Sequence, residues 1–384
     1  MLSITLHSEP REPTGQLDML VRERAAEWFG SAARDSGPAR ACVVSRSRRK
    51  VSVISRVRVT AGGSQHYLVA KQYRDWRCQA SPDVQRKELM RPRLFTLCDV
   101  QDKAPFEYAA LSAIHQHFHR LADPRFGAVR PLAVVPQDRT IVMEDARSTN
   151  LARLLERCHR LAFRDKPLRI QKAIRNAGAW LRRYHGLSSL SHTRIRHADR
   201  EEFLDSVERI GSFLIGAVGY DELLRAAIDR VAVVARADLP AQLPLGLSHT
   251  DFAPRNVLVD AAGSLAVIDT LGRWQAPIYE DTGYFLMALR TGGLQMYLQG
   301  WWLTERLLNE FEQAFLEGYF GDASPSRQAV RLFEVQSLLY RWVSISHGAH
   351  ESVGIRRLGK RCRLAATNRF LANELRRLLR ELVP

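Results

Sequence analysis

The chain contains no run approaching the roughly eighteen consecutive apolar residues that a membrane-spanning helix needs. Its first ten residues, Met1-Leu-Ser-Ile-Thr-Leu-His-Ser-Glu-Pro10, lack a basic segment leading into an apolar stretch, so no secretory signal is expected. Cysteine is scarce: five residues, at 42, 78, 98, 158 and 362, odd in number and without Cys-x-x-Cys spacing. That pattern excludes a disulfide framework and a cysteine-built zinc site, and the three absences together read as a cytoplasmic protein. Lysine is scarce too, seven of the 57 cationic residues, which leaves fifty arginines. The formal net charge of +16 favours anionic partners and argues against a polycationic substrate. No nucleic-acid-binding module accompanies the charge, so nucleic acid is not the expected partner. What is present is ordinary for a globular chain: 384 residues, 46% hydrophobic and 26% charged, enough for two or three structural units.

The most informative stretch is Leu247-Ser-His-Thr-Asp-Phe-Ala-Pro-Arg-Asn-Val-Leu-Val-Asp260, followed by Leu265-Ala-Val-Ile-Asp269. Two short apolar runs flank a polar, glycine-containing turn, which predicts a hairpin. With Ala261–Ser264 as the turn, Val259 faces Ala266 and Asn256 faces Asp269. Directly paired residues lie about 4.5–5.5 Å apart, so an amide oxygen and a carboxylate there can share a hard cation such as Mg²⁺. Asp251 sits in the Pro-containing loop just ahead and brings a third polar group to the same end.

The pattern His249-x-Asp251-x-x-x-x-Asn256, then a hairpin, then Asp269 resembles the catalytic loop and metal-binding Asp of protein-kinase-like phosphotransferases. The form His-Thr-Asp-Phe-Ala-Pro-Arg-Asn is similar to the aminoglycoside phosphotransferase and choline-kinase branch. The resemblance implies an α+β, two-lobed, protein-kinase-like fold, with a small antiparallel-sheet N-lobe carrying one key helix and a larger, mainly helical C-lobe. It also implies ATP (GTP possible) and Mg²⁺ as cofactors. Asp251 becomes the catalytic group that receives the acceptor proton, and Asn256 and Asp269 the metal ligands.

Taken in order, residues 1–40 form an N-terminal extension with a possible helix over Leu17–Phe29. Residues 41–146 form the nucleotide-binding N-lobe. Ala41–Val44, Val51–Thr60 and Gln65–Gln72 are rich in Val, Ile and Tyr and read as strands, with Ala61–Ser64 as a hairpin turn. Lys71, ending Leu68-Val-Ala-Lys71, resembles the phosphate-pairing lysine; a lone lysine at a strand end otherwise reaches solvent. The first turn, Ser45-Arg-Ser-Arg-Arg-Lys50, lacks the glycine that lets backbone N–H groups approach phosphates. Its cations and hydroxyls either substitute for that cradle or form a solvated basic turn. Residues 74–103 read as an insertion. A helix follows with Pro105 near its first turn, and Glu107, Leu111, Ile114 and Phe118 share one face. Glu107 on that apolar face needs a partner, for which Lys71 is the candidate; alternatively it serves the helix dipole. Val129–Val135 and Thr140–Glu144 form a further hairpin leading to a segment that resembles the interlobe hinge. There the resemblance implies that Met143 backs the adenine while the Glu144 C=O and Ala146 N–H bond its edge.

The C-lobe, 147–384, is expected to be mainly helical, with catalytic loop 247–260, Asp269 and a basic C-terminal helix. An apolar stripe Ile170–Tyr184 ends at His185-Gly186, and His185 reads as structural. Asp281 resembles the aspartate that anchors the catalytic loop. Leu294–Tyr319, with Trp301-Trp302, reads as a helix. Residues 354–384 carry nine basic and two acidic side chains with leucines at helical spacing. They either pack on the lobe or lie on an anionic membrane surface.

The implied activity is phosphorylation of a small-molecule hydroxyl, neutral or anionic rather than polycationic. The alternative is a catalytically weak or inactive kinase-like (pseudokinase) binding protein, for which the glycine-free turn is the argument.

Overall fold

The computed structural model describes residues 15–30, 39–49, 51–61, 63–74, 100–146, 148–158, 166–323, 326–347 and 356–383. The chain divides into two compact units, the first ending at Arg147 and the second running from Ser148 to Pro384, which also takes in 123–126.

The first unit contains helix α1 (Gly15–Phe29), strands β1 (Arg40–Arg48), β2 (Ser52–Ala61) and β3 (Ser64–Tyr73), helix α2 (Val100–Leu121), and strands β4 (Pro131–Val135) and β5 (Thr140–Glu144). The strands form one antiparallel sheet in the order β1-β2-β3-β5-β4. Alternation of apolar residues along β2 buries Val57, Val59 and Ala61 on one face. Leu17, Val21, Ala25 and Trp28, spaced three or four apart on α1, bury into the same core. The expected N-terminal extension is therefore in part a packed layer of this unit.

Three expectations need correcting here. The basic run Ser45–Arg48 is strand, paired with Val53–Arg56, so these four residues are not part of the first turn. Most of the insertion foreseen over 74–103 lies outside the described residues, but 100–103 are the start of α2. Pro105 consequently lies inside that helix, past its first turn, where it costs one ladder bond.

The second unit begins with β6 (Thr149–Asn150) and α3 (Leu151–Glu156), whose N-cap Asn150 accepts from the Arg153 N–H at 2.9 Å. There follow α4 (Lys166–His185), β7 (Arg194–Ile195), α5 (Arg200–Leu214), α6 (Asp221–Asp238), β8 (Leu245–Ser248), β9 (Val257–Val259), β10 (Leu265–Val267), β11 (Trp274–Pro277), α7 (Ile278–Thr291), α8 (Glu305–Phe320), α9 (Arg327–His347) and α10 (Arg356–Glu381). Two small sheets, β10-β9-β6 and β7-β11-β8, sit among the helices. Close helix crossings fix the scaffold. A Cβ on Gly283 of α7 would lie 2.6 Å from the Phe333 carbonyl carbon of α9, and one on Gly318 of α8 would strike the Arg175 carbonyl of α4.

Leu294–Tyr319 is not one helix: residues 292–304 are turns, and α8 starts only at Glu305 behind the N-cap Thr304. On α10, Leu371, Leu375 and Leu378 are buried in the core, as is Leu382 just past its end. That apolar face is used internally, which leaves the arginines and not the leucines for any anionic surface. Among the described residues no helix is long and apolar enough to cross a membrane.

Candidate active site

The β9–β10 hairpin determines what the site presents. Asp260 N–H bonds Ser264 C=O at 3.1 Å, the Asp260 carboxylate accepts Ser264 N–H at 2.8 Å, and Gly263 adopts φ +87°. The connection is therefore a three-residue loop, 261–263, with glycine where left-handed backbone is required, rather than the four-residue turn expected. The register shifts by one: Val259 pairs with Leu265 and Val257 with Val267. Asn256 C=O accepts Ile268 N–H at 3.1 Å, so Ile268, not Asp269, lies opposite Asn256. Asp269 comes one residue later with φ +68°, which turns the chain out of the strand and leaves the residue exposed.

Asp251 and Asn256 are brought together by the loop itself. The Asn256 amide nitrogen donates to both Asp251 Oδ2 and Asp251 C=O at 2.9 Å. Among the described residues its Oδ1 has no hydrogen-bond partner. The other Asp251 oxygen accepts from Tyr284 Oη at 2.8 Å and forms an ion pair with Arg255. Arg255 in turn donates to Tyr284 Oη at 3.2 Å. Burial, joined by the charge of Asp251, raises the Tyr284 hydroxyl above its ordinary range, so it remains a donor.

One buried carboxylate holds this loop. Asp281, in the first turn of α7, accepts His249 N–H at 2.7 Å and Ser248 Oγ at 3.1 Å on one oxygen and Thr250 N–H at 3.0 Å on the other. Thr250 has φ +66°, a costly conformation for a β-branched residue. The two N–H bonds to Asp281 hold it there, one residue ahead of Asp251. His249 is fully buried, with Nε2 3.1 Å from Ile268 C=O and Nδ1 lacking a partner. Burial pushes its pKa down, so the ring is neutral. His185 is structural as expected, lying 2.6 Å from Tyr319 Oη and 3.2 Å from Asp281.

In the first unit, Lys71 Nζ donates to both Glu107 oxygens at 2.9 Å, and both residues are buried. Tyr73 Oη donates to Glu107 at 2.6 Å. Met143 is buried at the end of β5, opposite Val69. Beyond it Asp145 N–H continues the ladder to Tyr67 C=O at 3.1 Å, while the Ala146 N–H has no partner among the described residues. Glu144 and Ala146 line a cavity of about 300 Å³ together with Trp28, Phe29, His66 and Tyr67.

The sequence profile of the phosphotransferase enzyme family matches residues 65–333, which span Lys71, Glu107 and the whole 247–269 segment. The chain belongs to this family. Among curated proteins no sequence matches it. Of solved structures, an ethanolamine kinase from Plasmodium vivax is similar at 11% identity and a TM-score of 0.50, covering 96% of this chain and 89% of that one. A Ralstonia eutropha protein assigned as an aminoglycoside phosphotransferase is similar at 10% identity and a TM-score of 0.54, covering 96% and 99%. These likenesses show the kinase-like α+β fold.

For this phosphotransferase the oxygen set suits a hard cation. Asn256 Oδ1 is oriented by the two bonds its own nitrogen makes, and the exposed Asp269 carboxylate follows the partner strand. Among the described residues no cluster of three or more His, Cys, Asp or Glu forms a complete metal site, so an ion there would take its remaining ligands from phosphate and water. The sequence reading missed Tyr73, Tyr284 and Arg255. Tyr73 lies two residues past Lys71, and strand alternation puts both on one face, a signal that was available. Tyr284 was legible only as an apolar helix residue, because its contact with Asp251 is tertiary.

Proposed function

We propose that this phosphotransferase transfers the γ-phosphoryl group of ATP, with Mg²⁺, to a hydroxyl of a small molecule. The observation that supports the proposal is the Asp251–Asn256 pair, in which the Asn256 amide nitrogen is held by Asp251 and its oxygen is left to a ligand. Lys71, held by Glu107 and Tyr73, binds the α/β-phosphates. Met143 and the backbone of Glu144 and Ala146 receive the adenine. Asn256 and Asp269 hold Mg²⁺, which neutralises phosphate charge when bound.

Asp251 orients the acceptor hydroxyl and takes its proton. Its bonds to Arg255 and Tyr284 fix its orientation, which suits a loose transition state in which the proton moves late. Catalysis then rests chiefly on positioning and charge neutralisation. The protein is cytoplasmic, its acceptor is neutral or anionic, and residues 1–146 and 147–384 act as nucleotide and acceptor lobes.

The second reading, a catalytically silent kinase-shaped binding module, draws on the glycine-free run 45–50, whose first four residues are strand and not a phosphate-cradling loop. One experiment separates them. Mg²⁺-dependent thermal stabilisation by ATP, with turnover over an acceptor panel that Asp251→Ala abolishes while ATP still binds, supports the enzyme. ATP binding without turnover supports the module, and neither binding nor turnover refutes both.

A further inference from the structure

The second unit contains a cavity of about 290 Å³ beside the catalytic loop, and its walls carry an electrostatic imbalance. Leu155, Leu289, Leu294, Trp302 and Leu303 give it an apolar lining. Arg255 and Arg341 both line it as well. Arg255 is neutralised by Asp251, but Arg341 on α9, partly buried, forms neither an ion pair nor a hydrogen bond among the described residues. The acidic groups that reach it through space are Tyr284, Tyr297 and Asp251, and Arg255 opposes them; burial is the largest influence and lowers its pKa. Three other arginines of this unit are ion-paired: Arg331 and Arg377 both pair with Glu334, and Arg290 pairs with Glu305 and Glu312. One more carboxylate lines the cavity, that of Glu156, but it is exposed and hydrated and does not compensate a desolvated cation.

A desolvated guanidinium beside a second one costs stability unless something anionic joins it. Resting on the phosphotransferase reading, we propose that this cavity is the acceptor subsite. The acceptor is an anionic hydroxyl compound with an apolar body, and Arg341 is the specificity-determining residue that binds its carboxylate, sulfate or phosphate group. Arginine suits the role because its planar fork pairs with two oxygens at once. The apolar wall takes the body of the molecule, and the Asp251–Arg255 contact places this cavity next to the group that receives the proton. The same anion chemistry could come from nucleotide phosphate, so the test carries an arm for it.

The probes are aryl- and alkyl-hydroxyacids, each paired with its methyl ester, and ATP. Binding to the full chain is read by calorimetry with and without Mg²⁺-ATP, and turnover by ADP release. Acids are expected to bind about tenfold to a hundredfold more tightly than their esters, the range for a charge-assisted bond. Arg341→Met should collapse that ratio, Arg341→Lys should keep part of it, and ATP affinity should be unchanged in both. The melting temperature of Arg341→Met should hold or rise, because an uncompensated charge is removed; a purely structural arginine would lower it. Equal binding of acid and ester, absence of binding by every acid, an unchanged ratio in Arg341→Met, or a loss confined to ATP would each overturn the proposal. Acid binding is measured without nucleotide, so failure of the phosphotransferase reading, seen as no ATP binding or turnover, is distinguishable from failure of this one.

Discussion

Replacing Asp281 with asparagine removes a charge while keeping the shape, and the structure allows its cost to be worked out. The carboxylate accepts three donors from the catalytic loop: Ser248 Oγ, His249 N–H and Thr250 N–H. An asparagine has one acceptor oxygen. If that oxygen takes the place of Oδ2, the amide NH₂ faces the Thr250 N–H, donor against donor. At least one charge-assisted bond, about 1.5–3 kcal/mol, is lost, while the Thr250 N–H keeps only its 3.2 Å bond to Ser248 Oγ. The expected destabilisation is about 2–3 kcal/mol. Thr250 then loses what holds its left-handed backbone, which itself costs about 1–2 kcal/mol. The assay is urea unfolding followed by tryptophan fluorescence, which needs no knowledge of the acceptor. Thr250→Gly relieves the backbone cost, so it should be stabilising alone and should recover about 1 kcal/mol in the Asp281→Asn background. A midpoint for Asp281→Asn within error of wild type would refute the claim that this carboxylate holds the loop.

Lys71→Met or Glu107→Gln should each cost about 3–5 kcal/mol by thermal unfolding, since each leaves a buried ion or its partner stranded; the double change Lys71→Met/Glu107→Leu should recover much of it. Tyr73→Phe should cost about 1 kcal/mol in the same measurement. His249 has a depressed folded-state pKa, so the unfolded chain binds the extra proton. Stability should therefore be unaffected by His249 above about pH 6.5 and fall as pH drops below it, by up to about 1.4 kcal/mol per unit. In unfolding series across that window, His249→Gln should flatten the slope. Gly283→Ala should cost about 1–3 kcal/mol through overpacking against Phe333, read as a lowered melting temperature.

The parts of the site that were legible in the sequence are those carried by local pattern. The Lys71–Glu107 pair follows from a polar residue on an otherwise apolar helix face, and the hairpin strands follow from apolar runs bounded by a turn. What failed were quantities that local pattern does not contain. The loop could close with three or four residues, and only the glycine's left-handed geometry at 263 selects three. Trp301-Trp302 looked helical from aromatic spacing, but Gly292 and Gly293 end α7 and Thr304 caps the next helix, which confines the pair to turns. Arg341 was invisible, because its lack of a partner is a fact about neighbours drawn from distant parts of the chain.

The hairpin loop also divides tolerance to change in an unusual way. Ala261 and Ala262 are exposed, and the Arg169 bond there goes to the Ala261 C=O and not to a side chain, so many side chains would be accepted. Adding or deleting a single residue would be another matter. Successive positions on a strand point to opposite sides, so one unit of length re-addresses every side chain on the return strand and delivers a different one beside Asn256. In this turn, drift should be seen in letters and not in length.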